Sequence, residues 1–189
     1  CVNEGNEASE KLIQRIGCKK EGVWNEKTCV RRTAGFDIDK TNLPADMKYL
    51  PKGAVLALDS TGLKVVLVKT AKATASAASG ATSLKVAKGH ALVVGDVVAG
   101  GTISKIAVGA EFDTLTLSAI SEEVKENGVV ADANGANAIG LNYATVKLDA
   151  NPSCTPTIQA YEIEEDSLPY PVNEEIKAAL TSRHDWRIG

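Results

Sequence analysis

The sequence predicts a mainly β fold: a small antiparallel β-barrel or sandwich with an extended N-terminal arm and a short C-terminal helix. Three observations carry that reading. Residues 84–117 break into four short apolar runs (84–87, 91–98, 103–108 and 112–117), separated by Lys88-Gly89-His90, Gly100-Gly101 and Gly109-Ala110. Short runs rich in Val, Ile, Leu and Thr suit a pleated, half-buried surface, and glycine at the breaks permits tight hairpin turns. Residues 53–58 and 63–68 are two more such runs, and Asp59-Ser60-Thr61-Gly62 between them is a hairpin turn. Finally, Asn173 stands at the N-cap position of a helix over 174–180. Glu174 and Glu175 lie in its first turn, and Ile176, Ala179 and Leu180 form one apolar stripe.

The remaining elements follow in chain order. Residues 1–17 open polar and hold one weak helical pattern, Leu12, Ile13 and Ile16, with Ser9 as cap and Gly17 as stop. Residues 18–51 are the least regular. Val23-Trp24 and Cys29-Val30 are apolar pairs in a polar field punctuated by Asp37, Asp39, Asn42, Pro44 and Pro51. Such a stretch either wraps over its own barrel or lies along another subunit, and Trp24 is the anchor in both cases. Residues 71–82, AKATASAASGAT, read as a strand end leading into a mobile loop. Residues 121–127 make a charged turn or a single helical turn, and 129–131 a closing strand.

Residues 143–148 and 157–163 are two further strands, confined to a sheet edge by the prolines at 152 and 156 between them. Leu168-Pro169-Tyr170-Pro171 is extended, because each proline restricts the residue before it. The division expected is 1–51 as an arm with a short helix, 52–133 as the β-barrel domain, and 134–189 as strands and a short helix returning to the barrel.

Composition narrows the function. The chain has 189 residues and a formal charge of -3. Its short basic pairs, Lys19-Lys20 and Arg31-Arg32, are interrupted by Glu21 and Glu26 and make no phosphate track, so no nucleic-acid partner is expected. Aromatic residues are 4% of the chain, too few for a stacking platform. No apolar run approaches the ~20 residues that a membrane-spanning helix needs, so no membrane partner is expected. The four cysteines, Cys1, Cys18, Cys29 and Cys154, form no C-x-x-C pair. They read as free thiols of a reducing compartment. Cys1 leaves a second possibility open, a lipoprotein acylated at that residue.

Catalytic patterns are sought and not found. There is no phosphate-binding glycine loop and no Gly-x-Ser-x-Gly elbow. His90, Asp96 and Ser83 are near one another in sequence, but His90 beside Gly89 is explained as a turn residue, and Gly95-Asp96 as a tight corner whose Asp bonds local amides. Glu162, Glu164, Glu165 and Asp166 read as a solvated strand edge, with a hydrolase built on them as the outside reading. His184-Asp185-Trp186 reads as a frayed tail. No catalytic, cofactor-binding or metal-binding residue is expected, and the chain is not expected to be an enzyme.

The run YLPKGAVLALDSTGLKVVLVKTAKA at 49–73, with LKVAKGHALVVGDVV at 84–98 and EFDTLTL at 111–117, resembles phage head-fibre or head-decoration proteins, familiar from tailed phages of Bacteroides-like hosts. VRRTAGFDID at 30–39 and SLPYPVNEEIKAALTSR at 167–183 fit the same family, so the resemblance covers about residues 23–183. It rests on turns and strands and transfers no active-site residue. It implies a capsid-stabilising virion protein on the outer face of the head, assembled in the bacterial cytoplasm. Such a protein cements neighbouring copies of the phage major capsid protein and is itself a homo-oligomer, with a trimer favoured. Val23, Trp24, Val30, Arg31 and Arg32 are then expected at a capsid or subunit contact. The alternative is a surface-anchored bacterial lipoprotein β-domain that binds a glycan or a protein partner.

Overall fold

The computed structural model describes residues 22–187 apart from 33, 34 and 42. The helix expected within 1–17 lies outside them. The fold is mainly β, in curled sheets of short strands, with one short α-helix among the described residues, near their C-terminal end.

The strands in chain order begin with three small ones: β1 (Val30–Arg31), β2 (Phe36–Ile38) and β3 (Tyr49–Leu50). Next comes the hairpin β4 (Val55–Leu58) and β5 (Lys64–Leu67), then β6 (Thr70–Lys72) and β7 (Ser83–Ala87). β8 (Val97–Val98), β9 (Gly101–Val108) and β10 (Phe112–Leu117) follow, then β11 (Val129–Ala131). β12 (Ala138–Leu141), β13 (Val146–Lys147), β14 (Ser153–Cys154) and β15 (Thr157–Glu164) precede the helix α1 (Glu174–Leu180), and β16 (His184–Arg187) ends the described chain.

Both local signals behave as their residues dictate. β4 and β5 pair antiparallel, and the Asp59 carboxylate accepts the Leu63 and Lys64 amides while Gly62 takes the positive φ that the turn requires. The Asn173 side chain accepts the Ile176 amide at 3.0 Å, and Ile176 and Leu180 turn inward. The described residues of 22–51 are stitched down at three places, β1 to β15, β2 to β5 and β14, and β3 to β13.

Packing sorts these strands into three cores. One lies wholly within residues 71–130, around Leu84, Val86, Ile103, Leu115 and Leu117, under the sheet β7-β10-β9-β8. The other two mix early and late chain. Val23 and Trp24 pack with Val55, Leu141, Ile163 and Ile176, and Ile38 and Leu50 pack with Leu56, Val65 and Leu67. β4 supplies both of these cores because Val55, Leu56 and Ala57 are buried in succession, the mark of a strand covered on both faces.

Five local expectations are corrected. The run 91–98 is strand only at β8, because the Gly95 corner, with φ +97°, turns the chain before a ladder can form. Likewise only β13 of 143–148 pairs. Residues 71–82 are tied down, not loose: Ala77 and Val124 exchange amide bonds of 2.7 and 2.8 Å, Gly80 bonds Ile120, and the small alanines at 73 and 77 lie buried. β15 is a central strand between β1 and β16, not an edge, so residues 184–187 are not frayed. They run parallel to β15, joined to it through α1, a crossover that no local pattern announces.

Candidate functional site

The five candidate contact residues divide between interior and surface. Val23 and Trp24 are 7% and 4% exposed, closed into this chain's own core. Backbone bonds from Asn25 to Tyr161 and from Glu164 to Val23, both 3.0 Å, lay them along β15. Around Trp24 sits a compact charged and aromatic cluster. The Tyr143 ring lies 6.2 Å from the Trp24 ring, the Lys52 ammonium 4.8 Å from the Trp24 ring, and the Arg31 guanidinium 4.4 Å above Tyr143. Lys52 pairs with Glu26, which also accepts the Tyr143 hydroxyl at 3.1 Å. Partial burial works against the Glu26 carboxylate, but the hydrogen bonds from Lys52 and Tyr143 outweigh it and hold its pKa below the ordinary value.

Outside this cluster the edge strand β1 is open. Val30 is 44% exposed, and Arg32 is exposed with its guanidinium 5.5 Å above the Phe36 ring. Other exposed apolar side chains stand at turns and strand ends: Leu63 at the β4–β5 turn, Val94 before the Gly95 corner, and Val108 at the end of β9. β1 is thus an outward edge that carries two cations, Arg31 and Arg32.

The residues considered for chemistry are occupied elsewhere. His90 Nδ1 accepts the Leu92 amide at 3.2 Å, and its Nε2 stands 3.4 Å from Asp113, not against a hydroxyl. Burial lowers the pKa of His90 against the pull of Asp113. Ser83 lies opposite Thr116 in the β7–β10 ladder. Glu162 and Glu165 of the acidic run form ion pairs. Glu162 holds Arg187 at 2.7 Å and accepts from Asn25 at 3.0 Å, and Glu165 meets Lys177 at 2.8 Å. Glu162 does so from a backbone with φ +58°, at the bulge where the β15–β16 register shifts. Among the described residues no group of three or more His, Cys, Asp or Glu could hold a metal. Nor is any helix among them long and apolar enough to cross a membrane. Cys29 and Cys154 are free thiols, and burial pushes Cys154 up to about 12.

One cluster went unseen in the sequence. Lys69 and Asp96 form an ion pair with 2% of each side chain exposed, and Asp132, itself 5% exposed, donates its backbone amide to the Lys69 carbonyl at 2.8 Å. Sequence gives little signal for it: residues 65–68 are all apolar without alternation, and Val68 and Thr70 on either side of Lys69 are as buried as it is. Compared with protein-family models, with curated proteins and with solved structures, the chain matches none.

Proposed function

We propose that this chain is a structural virion protein, a head-fibre or head-decoration protein on the outer surface of a tailed-phage capsid. In this reading it cements neighbouring major-capsid subunits and assembles as a homo-oligomer, a trimer being favoured. The observation that supports it best is the N-terminal edge: Val30, Arg31 and Arg32 face outward on a segment that Trp24 pins into the core. A load applied at β1 is therefore passed to the interior and not to a loose tail. A binder that recognises only the assembled lattice stabilises it by mass action, and repetition over the shell multiplies a modest single affinity.

Deleting the whole arm would remove part of the core, so the test uses surface changes. Val30→Asp and Arg32→Glu are expected to lower occupancy on purified expanded capsids about tenfold, the effect of ~1.4 kcal/mol per contact, with the melting temperature unchanged. Cosedimentation reads the occupancy. Full occupancy by both variants removes β1 from the contact, and failure of the parent protein to bind capsids overturns the reading.

A further inference from the structure

We propose that Lys69 and Asp96 condense into an intramolecular isopeptide bond, an amide between Lys69 Nζ and Asp96 Cγ, with Asp132 as the proton-carrying carboxyl. Several features of the site point there. Both side chains are almost wholly removed from water and are already in contact. An ion pair kept in so dry a place costs more desolvation than one at the surface, and replacing both charges with one neutral amide relieves it. Val68 and Thr70, on either side of Lys69, are fully buried, so the backbone that carries it is itself interior.

The acceptor carbon is equally fixed. The Asp96 backbone sits in the corner made by Gly95, and one carboxylate oxygen accepts the Val93 amide at 2.8 Å. That donor is placed to hold the oxygen that gains negative charge when the amine adds. Asp132 is braced by Asn134, whose backbone and side-chain nitrogens each reach it at 3.1 Å, and its own amide bonds the Lys69 carbonyl at 2.8 Å. Burial raises its pKa against those bonds, which favours the protonated form a proton carrier needs.

The step balances with no outside reagent. The neutral amine of Lys69 adds to the Asp96 carboxylic acid, forming the C–N bond. The amine nitrogen gives up one proton, the acid loses its hydroxyl, and both leave as a single water, with Asp132 lending and recovering a proton. One positive and one negative charge vanish together. The bond lies where it has mechanical effect: Val68 belongs to one core, Ala71 to the next, and Lys69 stands between them. Lys52–Glu26 is the internal control. It is also in contact, but its side chains are 27% and 48% exposed, so water keeps both ions and no bond is expected there.

The test is mass spectrometry of the full chain, purified folded and then denatured. The expected result is a mass one water below that of the sequence, with a protease map in which the peptides carrying Lys69 and Asp96 remain joined and Lys69 resists trypsin. Lys69→Met removes the deficit. Asp132→Asn keeps the shape and is expected to slow water loss about a hundredfold in a time course after refolding, the size of a lost proton carrier. A wild-type chain at full mass overturns the bond. A joined chain whose Asp132→Asn form condenses at the wild-type rate overturns the role of Asp132.

Discussion

The Trp24 and Tyr143 rings lie 6.2 Å apart, inclined at 34°, and join the first described segment to the stretch between β12 and β13. Tyr143 presents its hydroxyl to Glu26 while receiving Arg31 over its ring, so one side chain holds three parts of the N-terminal segment. Trp24 is the buried half of the pair and contributes area; Tyr143 contributes direction.

Trp24→Ala is therefore expected to destabilise the fold by about 3–5 kcal/mol, the cost of a large aromatic lost from a packed core. That approaches the whole stability of a modest domain. Tyr143→Phe removes only the hydroxyl bond to the half-exposed Glu26 and is expected to cost about 1 kcal/mol. Urea unfolding followed by Trp fluorescence checks both, with Trp186→Phe as background so that Trp24 is the sole reporter in the tyrosine series. Equal losses for the two changes would mean that Trp24 is not packed as described.

Two glycines separate steric need from backbone need. At Gly140 a Cβ would come within 1.9 Å of the Thr157 carbonyl oxygen, because β12 crosses β15 with nothing between the backbones. Gly140→Ala is expected to cost about 3 kcal/mol, as overpacking against an immovable partner does. At Gly62 a Cβ meets nothing within 4 Å, and only its φ of +72° resists a side chain. Gly62→Ala is expected to cost about 1 kcal/mol. Thermal melts of the two variants give the order, and a reversed order contradicts the close approach at residue 140.

What could be read in advance was whatever is decided within a few residues. Asp59 and Gly62 build a turn from their own bonds, and Asn173 caps a helix three residues away, so both were legible. β16 was not, because its pairing with β15 depends on a helix and a crossover in between. The candidate contact residues meet the same limit. An apolar pair in a polar stretch signals burial, and Trp24 is buried, but sequence cannot say whether its own core or a partner supplies the pocket. Lys69 was missed because a lysine in a β-prone run is ordinarily taken for an outward position, and its buried neighbours Val68 and Thr70 leave no alternation that would single it out.

The helix cap offers a small, clean measurement. Asn173 accepts the Ile176 amide at 3.0 Å, and α1 has only seven residues, so one lost cap is a large share of what holds it. Asn173→Ala is expected to cost about 1 kcal/mol and Asn173→Asp almost nothing. Hydrogen exchange at the Ile176 amide reads the cap directly: protection is expected to fall in the alanine variant alone. Unchanged protection there would show that the β15–α1–β16 packing, not the cap, holds the first turn.

His184 supplies a dependence on pH. Its Nδ1 hydrogen bonds the Leu180 carbonyl at 2.9 Å, which leaves Nε2 to face the Thr157 hydroxyl at 3.3 Å; that hydroxyl already accepts the Leu141 amide. Burial lowers the pKa of His184, outweighing the Leu180 bond, so the folded chain refuses a proton that the unfolded chain accepts. Stability is then complete above about pH 6.5 and declines as pH falls below it. His90, lowered by burial against Asp113, acts in the same direction, whereas the raised Asp132 favours the folded state as acid is added. His184→Gln can keep both a donor and an acceptor without titrating. Melting temperatures at about pH 7.5 and about pH 5 are expected to differ less in this variant than in the parent. If the difference is undiminished in His184→Gln but lost in His90→Gln, the proton is taken up beside Asp113 and the buried end of β16 is not what acid attacks first.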